Sequence, residues 1–496
     1  MRAIKPVVVQ SSLLLMLLLP LNAFGQAMQI ESWVTRPDRS ELFQKQGDTL
    51  LFDYKKSGRL QTIVIDEQHT YQEMDGFGYA LTGGSAGLLM KMDAKSRANI
   101  LNELFATNGN NIGVSYIRLS IGASDLNSFV FSYNDLPEGE TDYEMKKFDL
   151  AQDKFDIIPV MKEILTINPA IKILGSPWSA PAWMKEKYDV RGGHLRKDCY
   201  SAYALYFVKY IQEMKKAGIP IDAITIQNEP LNSRNTPSMP WFLEEQEEFL
   251  SQHLVPAFKK AGLTTKLVLF DHNCDRADYP LALLENTVIS EYADGSGFHH
   301  YGGSLGAMNT VHLARPDKHV YFTEQMITER PGSADIAIAS RVKRMIIDVP
   351  RNWSRNVILW NLAADPLNDP HTDNGGCSMC QGAITIDGNM VSRNIAYYTI
   401  AHASKFVRPG SVRIASTNTG EQTVSITRDE ERPQIARATV IDNTQVLPNV
   451  AFKTPDGRIV LIVANTSFDS RGFQVQYKGK YSTISLAPGA VGTYIW

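Results

Sequence analysis

The chain has 496 residues, 44% of them apolar and 21% charged, with a formal net charge of −3. That length exceeds one small core and predicts two domains, or one large barrel with an accessory domain. The near-balanced charge, with no run of Lys and Arg, excludes a nucleic-acid binder held by electrostatics.

The first 25 residues stand apart. Arg2 and Lys5 form a short basic region, Leu13 to Leu19 an apolar one, and Ala23-Phe24-Gly25 supplies small residues for cleavage. The pattern predicts a secretory signal peptide over 1–25. Its apolar run is far short of the roughly 20 residues a spanning helix needs. Removing it takes away two positive charges, so the mature chain is about −5 by count. The first cysteine is Cys199, so none follows the apolar run to carry a lipid. The expectation is a soluble exported protein, periplasmic or extracellular, a monomer with no stable membrane insertion.

Residues 26–73 contain strand-like pieces, "LLFDY" and "LQTIVIDE". From residue 74 a short apolar run followed by a helical segment recurs. The runs are 74–83, 115–122, 172–179, 222–230, 266–273, 295–302, 319–325 and 356–363. Amphipathic stretches such as 199–218 and 244–262 lie between them, and both close on Lys-Lys-Ala-Gly, a helix-terminating sequence. Eight such units predict a (β/α)8 barrel over 74–382, with a doubly wound sheet as the alternative. After 383 short alternating strands separated by turn residues predict a β-sandwich. The fold class expected is α/β, a (β/α)8 TIM barrel with an accessory β-sandwich built from both termini, 26–73 and 383–496.

The four cysteines are Cys199, Cys274, Cys377 and Cys380. The last two form a lone C-x-x-C, with His371 the one nearby candidate for a further metal ligand. A local loop disulfide or two structural thiols is the expectation rather than zinc or a redox motif. The "GFGYALTGG" stretch lacks the spacing of a dinucleotide site.

In a barrel, side chains just past the C-terminal ends of the strands face the active site. Those positions hold Arg118, Asp125, Trp178, Asn228, Glu229, Asp271, His299, His300, Tyr301, Glu324, Trp360 and Asn361. Glu229 ends the fourth apolar run and Glu324 the seventh. Two carboxylates among aromatic platforms are what glycoside hydrolysis needs, one protonated to assist the leaving oxygen and one ionised. Trp178 and Trp360 are expected as sugar platforms. Trp183 and Trp241 fit outer subsites or simple packing equally well. His299 and His300 lack a third ligand at helical spacing and are read as hydrogen-bonding residues.

The chain resembles glycoside hydrolase family 30, the family of lysosomal glucosylceramidase and microbial endo-β-1,6-glucanases. The landmarks, in the family's order, are "DGFGYALTGGSAGLL", "IRLSIGASD", "SPWSAPAWMK", "IQNEP", "FTEQ", "LWNLAADP" and "HASKFVRPGS". The resemblance implies retaining hydrolysis of β-glycosides with no metal and no cofactor. It implies Glu229 as acid/base and Glu324 as nucleophile. Asn228 would hold the sugar 2-hydroxyl and Arg118 would orient Glu324. Asp125 and Trp178 would grip the 4- and 6-hydroxyl side, Tyr301 would bond near Glu324, and Trp360 would floor the pocket. Where the animal lipid-active relatives carry His-Trp-Tyr, this chain has His299-His300-Tyr301, which places His300 beside the leaving group. The expected activity is an endo-β-1,6-glucanase with a β-glucan oligo- or polysaccharide substrate. A glucosylceramidase or exo-acting β-glucosidase or β-xylosidase is the alternative, and a non-catalytic carbohydrate-binding protein a third reading.

Overall fold

In the computed structural model, residues 28–58, 60–330, 332–417, 423–428, 436–441 and 447–496 are described. The segment 1–25, expected as a signal peptide, lies outside them. Among the described residues no helix is long and apolar enough to cross a membrane.

All eight expected runs become parallel strands. They are β1 (Gly76–Leu81), β2 (Tyr116–Ile121), β3 (Lys172–Pro177), β4 (Ala223–Thr225), β5 (Lys266–Cys274), β6 (Ala293–Gly303), β7 (His319–Glu324) and β8 (Asn356–Leu359). Neighbours pair in chain order, and β8 pairs with β1. The last gap closes where the Arg355 N–H donates to the Val320 carbonyl (2.9 Å) and the Trp360 N–H to that of Gln325 (3.0 Å). That closure makes a barrel and excludes the doubly wound alternative. Nearly all strand residues are buried on both faces, the continuous apolar pattern of a parallel sheet under helices. The helix Tyr200–Lys216 and the helical run 243–260 end as their sequences predict. Gly218 (φ +88°) and Gly262 (φ +64°) take the left-handed conformation just past the two ends.

The accessory sheet draws on both ends of the chain. Gln29–Thr35 pairs antiparallel with Val491–Ile495, and Gln61–Glu73 pairs with Val412–Ser416 and Arg471–Tyr477. Alternation on the central strands divides two cores. Ala451, Leu461 and Val463 face the accessory domain's own interior. Val450, Phe452, Val460 and Ile462 join the core that runs into the barrel.

Residues 383–407, expected with the sandwich, instead complete the barrel side. Ile384–Asp387 pairs with Ala363–Ala364 directly after β8, and helix Ile395–Ser404 packs against β1. Every residue of that helix is buried, so it carries no polar face for a helical period to reveal. Within it, His402 hydrogen-bonds Thr35 (2.8 Å) through one ring nitrogen and Thr493 (2.9 Å) through the other. One imidazole thus ties the barrel to the first and last strands of the accessory sheet. Burial holds it down to about 3, so it is neutral.

Candidate active site

At the C-terminal mouth of the barrel lies a cavity of about 610 Å³, lined by Asp125, Trp178, Asn228, Glu229, Tyr301, Glu324 and Trp360. Seven of the nine expected site residues line it. Arg118 is the eighth and lies beneath the floor, 1% exposed.

Arg118 organises that floor from β2. Its Nη1 donates to Glu324 Oε2, and its Nη2 to Asn228 Oδ1 (2.8 Å) and Asp271 Oδ2 (2.9 Å). Its guanidinium sits 5.0 Å from the Trp178 ring centroid, and Trp178 stacks on Trp360 at 5.3 Å. Buried charges of this kind persist only when paired. The Trp178 Nε1 hydrogen is buried without a protein acceptor, an available donor beside the cavity.

Strand-end geometry places the two glutamates. Glu324 is the last residue of β7; besides Arg118, the Tyr301 hydroxyl donates to its Oε1 (3.0 Å). Glu229 comes after β4 has lost regular geometry, with φ at +48°. Phe270 (+73°) and Asp271 (+62°) on β5 share that rare conformation. The Glu229 N–H donates to the Asp271 carbonyl (3.0 Å), so the two irregular backbones hold each other. Such strained positions cluster where a site needs a side chain aimed off the regular lattice. An oxygen of Glu229 and one of Glu324 lie within 4.8 Å of each other.

Asp271, His299 and Asn232 complete the network. Asp271 is fully buried and accepts from Arg118, Thr225, Thr323, Ser176 and His299. Burial opposes its charge, but Arg118 and His299 hold its carboxyl below the usual range. His299 bonds Asp271 through Nε2 (3.0 Å) and Glu229 through Nδ1 (3.2 Å). Burial opposes its charge too, yet Glu324, Asp271 and Glu229 together push it up to about 9. Asn232 donates to the other oxygen of Glu229 (2.7 Å). Against burial, the hydrogen bond and charge of His299 hold Glu229 down to about 2. Burial instead raises Glu324, opposed by His299 and Arg118 and reinforced by Glu229 and Asp271. Asp125, buried and facing both glutamates, is pushed up to about 8 and so is protonated at neutral pH.

His300 is a correction. His299 bonds Glu229 and Tyr301 bonds Glu324, and His300 lies between them in the chain. It is absent from the cavity lining, half-buried, and its pKa is lowered by burial and by Arg344. Trp183 and Trp241 prove to be packing residues, 3% and 2% exposed and off the cavity. Asn361 is also structural, accepting from Ser85 and Thr82.

Glu229, His299 and Glu324 are the described group whose ligand atoms could converge on a metal. Their chemistry suits protons better. Both nitrogens of His299 are engaged by carboxylates, and the Arg118 cation already occupies Glu324. A proton can move between Glu229 and His299, while Glu324 presents a bonded carboxyl to the same space.

Comparison with known proteins accords with this architecture. Residues 74–407 match the family model "Glycosyl hydrolase family 30 TIM-barrel domain", and 410–494 match the "Glycosyl hydrolase family 30 beta sandwich domain". An endo-1,6-β-D-glucanase of Neurospora crassa is 32% identical over 412 residues, 79% of this chain and 81% of its own. The lysosomal acid glucosylceramidase of Mus musculus is 23% identical over 89% of this chain and 84% of its own. A solved endo-β-1,6-glucanase superposes with a TM-score of 0.82 at 32% identity, covering 95% of this chain and 99% of its own.

Proposed function

The chain belongs to glycoside hydrolase family 30, and from that premise we propose that it is an exported, retaining endo-β-1,6-glucanase, with Glu324 as nucleophile and Glu229 as acid/base. The observation that carries the mechanism is the approach of the two carboxyl groups, with oxygens within 4.8 Å. Retaining enzymes hold them about 5–5.5 Å apart, and inverting ones leave roughly 6.5–9.5 Å for a water.

Glu324, held by Arg118 at one oxygen and by Tyr301 at the other, attacks the anomeric carbon, and the C1–O bond to the leaving sugar breaks. Glu229 gives that oxygen its proton, and a glycosyl ester on Glu324 results. Glu229, now ionised, takes a proton from the water that cleaves the ester. The Glu229–His299 pair holds one proton between its two members, and that proton serves the first step. Asn228, fixed by Arg118, faces the ring hydroxyl next to C1. Asp125 bonds hydroxyls farther round the ring, and the stacked Trp178 and Trp360 take its C–H face.

The polymer reading is supported by relatives named as endo-1,6-β-D-glucanases in three fungi at 31–32% identity. His300 carries no argument on a lipid substrate, since it is absent from the cavity lining. The test is a product profile on β-1,6-glucan, β-1,3-glucan and an aryl β-glucoside. Short β-1,6 oligosaccharides at early times support the proposal. Glucose alone, or a preference for glucosylceramide by kcat/KM, overturns the endo-glucanase assignment.

A further inference from the structure

Cys377 and Cys380 are joined, and both line the substrate cavity. Cys380 packs with Trp178, Trp360 and Leu126, and Cys377 lies partly buried on the same cluster. The disulfide therefore touches the aromatic floor on which a sugar would rest.

Its loop is built to lie flat against two neighbours. Between Ala364 and Ile384 the chain has no helix and no strand. The Thr372 N–H donates to the Asp125 carbonyl (2.9 Å), and the Thr236 hydroxyl donates to the Asn374 carbonyl (2.6 Å). A Cβ on Gly375 would stand 2.7 Å from the Arg234 carbonyl oxygen, and one on Gly376 2.9 Å from that of Asp125. Only glycine permits that approach. Apolar anchoring is weak, since Leu367 and Met379 are exposed. The disulfide ties the loop where it reaches the cavity. With a sequence separation of only 3, it closes too small a ring to stabilise the whole fold much through chain entropy. Its effect is local.

We propose that the Cys377–Cys380 disulfide is a specificity-determining wall of the cavity, fixing the 365–383 loop where the glucan chain runs on from the retained sugar. The inference rests on the reading of Glu229 as acid/base and of a β-1,6-glucan as substrate. Residues bonded to Glu229, such as Asn232, border the departing sugar. The disulfide lies instead with Trp178, Trp360 and the Asp125 loop, and borders the sugar that stays on Glu324. In a β-1,6 chain that sugar carries its next neighbour on the C6 oxygen. A wall at this side decides whether the continuing chain is guided or obstructed. An aryl β-glucoside has no sugar beyond the retained one, so it senses the wall only through the floor beneath its single glucose and loses less.

The test compares kcat/KM on β-1,6-glucan and on an aryl β-glucoside. It uses the oxidised enzyme, the enzyme fully reduced as counted by thiol alkylation, and Cys377→Ala/Cys380→Ala. The ratio of polymer to aryl activity is expected to fall about fivefold or more in both altered forms, chiefly through KM on the polymer. A ratio unchanged within about twofold overturns the inference, as does an equal loss on both substrates. If the double variant does not fold, the reduced wild type decides. An oxidised enzyme inactive on both substrates would instead sink the functional reading beneath.

Discussion

Glu229 and His299 meet across 3.2 Å, and the imidazole that meets the glutamate is itself held 3.0 Å from Asp271. The pair therefore titrates as a unit. With His299 pushed up to about 9, the unit keeps one proton to well above neutrality. His299→Asn leaves Glu229 to hold the proton alone. The alkaline limb of kcat/KM on an alkyl β-glucoside is then expected to move to lower pH by about one unit or more. A limb that stays in place would mean that His299 stores nothing for the reaction.

The roles of the two glutamates separate by rescue. Glu229→Ala should lose about 10²–10⁴ on glucan, which needs a protonated leaving oxygen, and far less on an aryl glycoside with a good leaving group. Azide should then accelerate that variant and yield a β-glycosyl azide. Glu324→Ala should be inactive on both substrates, with azide giving an α-glycosyl azide. A β-azide from Glu324→Ala would reverse the assignment.

Arg118 pairs with both Glu324 and Asp271 in the buried floor of the site. Arg118→Met leaves two buried carboxylates short of a partner. It should destabilise by about 3–5 kcal/mol, the cost typical of breaking a buried pair. Arg118→Lys keeps the charge but not the fork that reaches Glu324, Asn228 and Asp271 together, so its folding should recover more than its activity. Thermal unfolding and kcat/KM on both variants check this. Equal recovery of the two quantities would contradict it.

His402 predicts an acid limit on stability. Its pKa in the fold, about 3, lies below the ordinary imidazole value. The unfolded chain therefore binds the extra proton first as pH falls. The contribution is intact above about pH 6.5 and is lost as pH drops toward 3, by no more than about 5 kcal/mol. His402→Gln should flatten the slope of Tm against pH in that window. A slope identical to wild type would remove His402 from the account.

Much of this was readable from the residues alone, for reasons that can be named. Glu229 and Glu324 stood out because each ends an apolar run, and strand ends are where a barrel presents its chemistry. Even β4, only three residues long, was visible through the apolar run ahead of Asn228. His300 was expected beside the leaving group from its place in "FHHYG", and it is absent from the cavity lining because the strand register shifts around it. The Asp271–His299–Glu229 chain spans residues from the fourth, fifth and sixth strands, and no local spacing joins them. The helix Ile395–Ser404 escaped notice because it is buried on every side. The disulfide was one of two readings that the C-x-x-C spacing left open.

The pairing of Gln29–Thr35 with Val491–Ile495 has a consequence for biosynthesis. One of the first segments made waits for one of the last, so the accessory sheet cannot close on a growing chain. Loop-closure cost on this scale makes the step slow and late. Until then the barrel face that meets Val450, Phe452 and Ile462 is uncovered, and the strand edge of 29–35 is unpaired. Limited proteolysis of stalled nascent chains should cut within 29–73 until residue 495 has emerged, and protection at shorter lengths would contradict that order.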